Sequence, residues 1–278
     1  MACGVSWSKH ERTEGASMSP YRQLSDAELT DWIVDSTQQL AEIAAVVGAR
    51  EPVPACPPWT MRQLVAHVIS GLSGWYPYNL THGDEPTDLA TAWDAQPTLP
   101  RGNAERLGHL QRVTQDFVQL VESVDLDAPC YVFQDQRTAR GWVLRAATEC
   151  AIHLQDAEAI LGDPKPFTPA RAATSIDETV RYMWRGVLWI LGDLEAGRVP
   201  DAPFGIRASD LDLAWRVTKA PDHFRVEHLD ADDALPALSV TGVQADLIAW
   251  LWGRSSGARL RVTGDRSLVD AWNLSSRT

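Results

Sequence analysis

The sequence has no apolar run near the roughly 18 residues that a membrane span needs. Its start, "MACGVSWSKHERTEGASM", also lacks the apolar centre of a secretory signal. These absences predict a cytoplasmic protein with no membrane partner. Cysteine is scarce: Cys3, Cys56, Cys130 and Cys150 are the four, at irregular spacing and without a CxxC pair. That argues against a thiolate zinc knot and predicts free thiols rather than a disulfide frame, with Cys150 as core filler. There is no internal repeat, low-complexity tract or glycine-rich phosphate loop. Positive charge is in deficit, 25 Lys and Arg against 37 Asp and Glu for a net charge of −12. Nucleic acid and anionic surfaces are repelled by that balance, so a small molecule or another protein is the expected partner.

At 278 residues, 45% apolar and 22% charged, the chain has a soluble globular composition and suits one large domain or two ordinary ones. Residues 1–20 are small and polar without periodicity and read as a disordered extension. "LSDAELTDWIVDSTQQLAEIAAVVG" opens with Ser25 and Glu28 in capping-box spacing and predicts a first helix to Gly48. Thr60 and Gln63 form a second such box after "CPPW", predicting a helix to about Trp75. Residues 101–123 predict a third helix, "CYVF" a short extended segment, residues 138–161 a fourth helix stopped by Gly162, and residues 169–197 a fifth. Residues 21–200 therefore read as an antiparallel helical bundle. Beyond it, "DLDLAWRVT", "FRVEHL", "LSVTG" and "RLRVTGD" alternate as strands, with helical stretches "QADLIAWLWG" and "RSLVDAWNLS" among them. The fold class is α+β, with a small α/β domain over residues 203–278.

The fourth helix carries the most chemistry. At about 100° per residue, Glu149, His153 and Asp156 fall within roughly 60° of one another, on a face shared with Trp142, Ala146 and Ile160. A second stripe, Val143, Ala147, Cys150, Leu154, Ala157 and Leu161, supplies packing. Glutamate and histidine at i and i+4 can converge on one cation, and zinc suits a nitrogen and oxygen set of three ligands with an open position. His67, in "LVAHVISG" with Gly71 one turn on to leave space beside the imidazole, is the candidate third ligand. Asp156 would orient His153 from behind. The competing reading is a satisfied core histidine and an ordinary surface pair. Of the other histidines, His82 in "THGDE" can reach a cleft from its loop, while His10, His223 and His228 read as surface or tail.

"CPPWTMRQLVAHV", "TECAIHLQDAEAILG" and "LIAWLWGRSSGARLRVTGD", taken together and in this order from about residue 24 to the end, resemble the mycothiol-dependent maleylpyruvate isomerase family. The resemblance implies an N-terminal DinB-like four-helix bundle followed by a small C-terminal domain. It implies a divalent metal, usually taken as zinc, held by His67, Glu149 and His153, with mycothiol as thiol cosubstrate. It also implies that Arg254 matches a family arginine able to hold a carboxylate. Pro58 stands where a glycine is common in the family, and "ISGLSGWYPYNL" is an individual variant of its cleft-lining segment.

A thiol bound to such a cation loses its proton at neutral pH. The expectation is a metal-dependent S-transferase acting on a small-molecule electrophile, with Trp59, Trp75 and His82 binding the cosubstrate and Asp156 and Arg254 assisting catalysis. Trp59, Trp75, Trp93, Trp142, Trp184 and Trp189, among 12 tryptophans, suggest a cleft larger than a small dicarboxylate requires. The alternatives are a mycothiol-dependent cis-trans isomerase, a zinc hydrolase using Asp156 or His82 as base, and a non-catalytic module stabilised by its metal.

Overall fold

In the computed structural model the described residues are 22–86, 91, 99–133, 135–191, 199–220, 224–230 and 232–273. The predicted extension, Trp93, His10, His223 and the side chain of Trp189 lie outside them. Helix α1 (Asp26–Val47) begins as its capping box predicts, with the Glu28 N–H donating to the Ser25 hydroxyl and the Ser25 N–H donating to the Glu28 carboxylate. Its inner face buries Leu29, Trp32, Ile33 and Leu40 at helical spacing. Helix α2 (Met61–Ser70) starts at Thr60, whose N–H donates to Gln63 Oε1 at 2.9 Å.

The helix does not stop near Trp75 as the sequence suggests. A π-helical turn over Gly71–Trp75 carries it into α3 (Tyr76–Thr81). Helix α4 (Asn103–Ser123) follows, then a hairpin of β1 (Pro129–Val132) and β2 (Asp135–Thr138), which pair antiparallel in the "CYVF" region. Helix α5 (Arg140–Glu158) is buried along nearly its whole length and ends in a 3-10 turn, Ala159–Leu161. Gly162 closes it with φ of 80°, a left-handed conformation that glycine adopts without strain. Because the helix ends there, Leu161 is exposed rather than part of the packing stripe. The long fifth helix divides into α6 (Pro169–Glu178), a π-helical turn over Thr179–Met183, and α7 (Trp184–Leu191).

The C-terminal part is a five-stranded sheet in the order β5-β4-β3-β6-β7, built from β3 (Phe204–Ala208), β4 (Leu213–Lys219), β5 (Phe224–Leu229), β6 (Leu238–Gly242) and β7 (Arg261–Thr263). Neighbours pair antiparallel except β3 and β6, which run parallel with Ile206 opposite Val240. Helices α8 (Gln244–Leu251) and α9 (Arg266–Ala271) follow β6 and β7. No helix among the described residues is long and apolar enough to cross a membrane.

Two cores organise the molecule. One packs α1 to α5 around Trp32, Phe117 and Trp142. The other joins Ile176, Val180 and Trp184 of the α6–α7 segment to Phe204, Trp215, Trp250 and Trp272. The second core takes in Ile152 of α5 as well as the α6–α7 segment, while Ala170 and Tyr182 of that segment pack against the first, so α6 and α7 form a wall shared by the helical and sheet-containing parts. Trp142 and Trp184 are fully buried packing residues.

Candidate metal centre

Helix α2 brings His67, and α5 brings Glu149, His153 and Asp156, to one place. His67 Nε2 lies 2.9 Å from Glu149 Oε1, and His153 Nε2 lies 3.1 Å from the same oxygen. The two imidazole rings meet edge to face, 4.8 Å between centroids. These three donor atoms fall within 4.8 Å of one another.

The opposite nitrogen of His153, Nδ1, lies 2.9 Å from Asp156 Oδ2. If Nδ1–H donates to that carboxylate, the Nε2 lone pair faces an anionic oxygen, an arrangement that needs a proton or a cation between them. The donor set of two imidazoles and one carboxylate fits a zinc-like divalent ion. Glu149 offers one oxygen, because its Oε2 accepts from the buried Arg145 guanidinium, which also donates to Glu178 at 3.2 Å.

Charge pairing sets the protonation states. Burial works against an ionised Glu149, but Arg145 and the hydrogen bonds from both histidines hold its carboxyl well below the usual range. For His153, burial disfavours the imidazolium, yet Asp156, Cys56 and Glu149 raise it well above the ordinary value. Burial likewise opposes Asp156, whose bonds with His153 and Arg254 keep it strongly ionised. Glu178, competing with Glu149 for Arg145, is pushed up by burial to about 7.

His67 lines a cavity of about 190 Å³ together with Trp75, Tyr76, Phe133, Arg145 and Glu149. Gly71 borders the same cavity as His67, and its missing side chain also makes room for Tyr76, whose ring would lie 2.9 Å from a Cβ there. Gly186 plays the same part for Phe133, whose ring atoms would lie 2.6 Å from its Cβ. Trp59 stacks obliquely against His67 and His153, at 5.0 and 6.0 Å between centroids. His82 is elsewhere. It stacks on Tyr78 at 4.6 Å, hydrogen-bonds locally, and is not among the cavity's lining residues.

Arg254, expected to face the cleft, instead donates through Nε to Asp156 Oδ1 at 2.9 Å and through Nη2 to Oδ2 at 2.7 Å. Its Nη2 also lies 3.1 Å from Cys56 Sγ, which in turn lies 3.0 Å from Asp156 Oδ2. Cys56 is the residue here that sequence reasoning missed; its one signal is its place in "CPPW", directly before the His67 helix. Burial raises this thiol. Cys150, expected as core filler, is 1% exposed yet borders the same cavity as His67 and Glu149.

Residues 33–158 match the family described as mycothiol maleylpyruvate isomerase N-terminal domain. Two solved structures resemble the whole fold: the mycothiol-dependent maleylpyruvate isomerase, at 14% identity and a TM-score of 0.52, and a point mutant of that isomerase, at 13% and 0.54. Each likeness covers 86% of this chain and 93% of the other. No curated protein matches the sequence.

Proposed function

We propose, from the premise that residues 33–158 belong to the mycothiol maleylpyruvate isomerase N-terminal domain family, that this protein is a metal- and mycothiol-dependent isomerase of a small unsaturated electrophile. The observation that carries the reading is the convergence of His67 Nε2, Glu149 Oε1 and His153 Nε2 beside the 190 Å³ cavity. These three residues would hold a divalent metal, zinc by the chemistry of the set. When bound, it supplies a Lewis acid that keeps an incoming thiol deprotonated at neutral pH.

The protein's own groups do the rest. Arg145 keeps Glu149 ionised, and Arg254 keeps Asp156 ionised so that it fixes the His153 ring through Nδ1. Trp75, Tyr76 and Phe133 wall the cavity and keep water from a bound thiolate and substrate. In this reaction class the thiolate adds to an activated double bond, the single bond so formed rotates, and loss of the thiol restores the double bond as its other isomer.

The isomerase reading is better supported than the S-transferase one. The case for a large cleft rested on tryptophans, and Trp142 and Trp184 belong to the cores. A hydrolase has less support still, since Asp156 is occupied by His153 and Arg254 and His82 lies outside the cavity.

The test combines metal analysis with product analysis. The full chain should retain about one equivalent of divalent metal. It should interconvert cis and trans forms of a small unsaturated dicarboxylate only when mycothiol is added, with free thiol recovered. Activity that survives chelation, or that needs no thiol, would sink the reading. A stable thioether product would transfer it to the S-transferase class.

A further inference from the structure

A second group of polar side chains takes no part in the chemistry proposed for the metal centre. It surrounds a cavity of about 580 Å³ between the β1–β2 hairpin, the start of α5, α6 and strand β5. Arg137, Arg181 and His228 line it, Thr174 and Tyr182 add hydroxyls, and Asp177 is the one carboxylate among the described lining residues. Arg140 also contributes to the wall, but its guanidinium is committed to Asp26 and to the Leu24 carbonyl.

Both oxygens of Asp177 are already engaged. Its Oδ2 accepts from Arg181 Nε at 2.7 Å, and its Oδ1 lies 2.9 Å from His228 Nε2 and 3.2 Å from the Trp215 indole nitrogen. His228, expected as a surface residue, keeps a side chain 27% exposed yet is tied to this buried carboxylate.

The donors opposite are in the reverse condition. Thr174 is 1% exposed, and its Oγ1 has no hydrogen-bond partner. Arg137 Nε is buried and likewise unmatched, although the same guanidinium reaches Asp135 at 3.4 Å and lies over the Tyr182 ring. Ten buried side-chain polar atoms among the described residues lack a hydrogen-bond partner, and the two that belong to residues of this one cavity wall are where a ligand could supply what the fold does not. Such a ligand accepts hydrogen bonds from a hydroxyl and a guanidinium, which is the chemistry of an oxyanion. The volume lies within the usual range for small-molecule sites, roughly 300–1,000 Å³, and exceeds what a bare inorganic ion fills.

This cavity is separate from the metal centre. Consecutive residues of α6 divide them: Asp177 faces the cavity, while Glu178 is bonded to Arg145. We propose that the cavity binds a small organic anion whose carboxylate or phosphate group accepts hydrogen bonds from Thr174 Oγ1 and the Arg137 guanidinium, with Arg181 adding positive charge.

Isothermal titration calorimetry of the full chain, with succinate and with inorganic phosphate in separate titrations, tests this. Saturable binding of either probe is expected, and which of the two binds distinguishes a carboxylate from a phosphate ligand. Thr174→Val and Arg137→Met should each weaken that binding about tenfold or more, as loss of a hydrogen bond to a charged group does. Thr174→Val should also leave the probe-free melting temperature unchanged or raise it, because the hydroxyl has no partner to lose. His67→Ala should leave anion binding intact, which separates this site from the metal centre. Absence of binding by both probes would overturn the proposal. So would binding that neither Thr174→Val nor Arg137→Met weakens, or binding that disappears in His67→Ala.

Discussion

The centre on α5 and the cavity beside Asp177 use the same parts, carboxylate, imidazole and guanidinium, and differ in how fully those parts satisfy one another. At the centre acids and arginines pair closely, Glu149 sharing Arg145 with Glu178 and Asp156 held by Arg254, and the imidazoles are fitted between Glu149 and Asp156. At the cavity a single acid is oversupplied while Thr174 and Arg137 keep unmatched atoms. Close internal pairing fixes ligand atoms in charge and direction, which suits a permanently bound cation. Idle donors suit something that comes and goes.

The largest effect should come from breaking the pairing at the centre. Arg145→Leu leaves Glu149 and Glu178 buried without their shared cation and should cost about 3–5 kcal/mol, read from the urea unfolding midpoint. Thr174→Val, measured the same way, should cost nothing. His67→Ala sharpens the contrast between holding a metal and holding the fold. Its side chain is 42% exposed, so the fold should lose little, whereas metal retention should fall at least ~100-fold, beyond what loss of a group that merely orients a ligand does. The metal-free proteins should differ in stability by about 0.5 kcal/mol or less. His153 is a poorer choice for this test, since it is buried between Glu149 and Asp156.

Proton and metal should trade places at His153. In chelated protein its raised imidazole contributes stability that is complete below the ordinary value of 6.5 and is lost as pH rises through the folded value. Glu149, held low, contributes stability present above 4.5 and lost as pH falls toward its folded value. Melting temperature against pH, with and without chelator, should show the chelated protein weakening above pH 6.5 by up to about 1.4 kcal/mol per pH unit for the single proton. The metal-loaded protein should hold, because rising pH favours the metal. The smallest effect is remote from both regions: Ser25→Ala removes the α1 cap and should cost about 1 kcal/mol without changing metal content.

The cluster of His67, Glu149 and His153 was legible because two of its members lie one helical turn apart and the third sits in a recognisable segment. Capping boxes at Ser25 and Thr60 located two helix starts for the same reason: the signal is local. What escaped was non-local or irregular. Strand β3 is buried on both faces, so "FGIRA" shows no alternation to read. No spacing in the sequence marks the two π-helical turns, Gly71–Trp75 and Thr179–Met183. The pairs Arg254–Asp156 and His228–Asp177 span 98 and 51 residues, beyond any spacing rule. Gly71 was correctly marked as a place where bulk is excluded, but that the Tyr76 ring also gains room there only the folded chain reveals.

Arg254 leaves the end of α8, in the sheet-containing part, and grips a carboxylate on a helix of the other core. It works as a latch whose release is felt by the imidazole next door. Any swing of the C-terminal part away from the bundle would uncouple Asp156 from its guanidinium and leave the His153 ring held by carboxylates of its own helix alone. Separation of the two halves and loosening of the support behind a candidate metal ligand would therefore be one mechanical event.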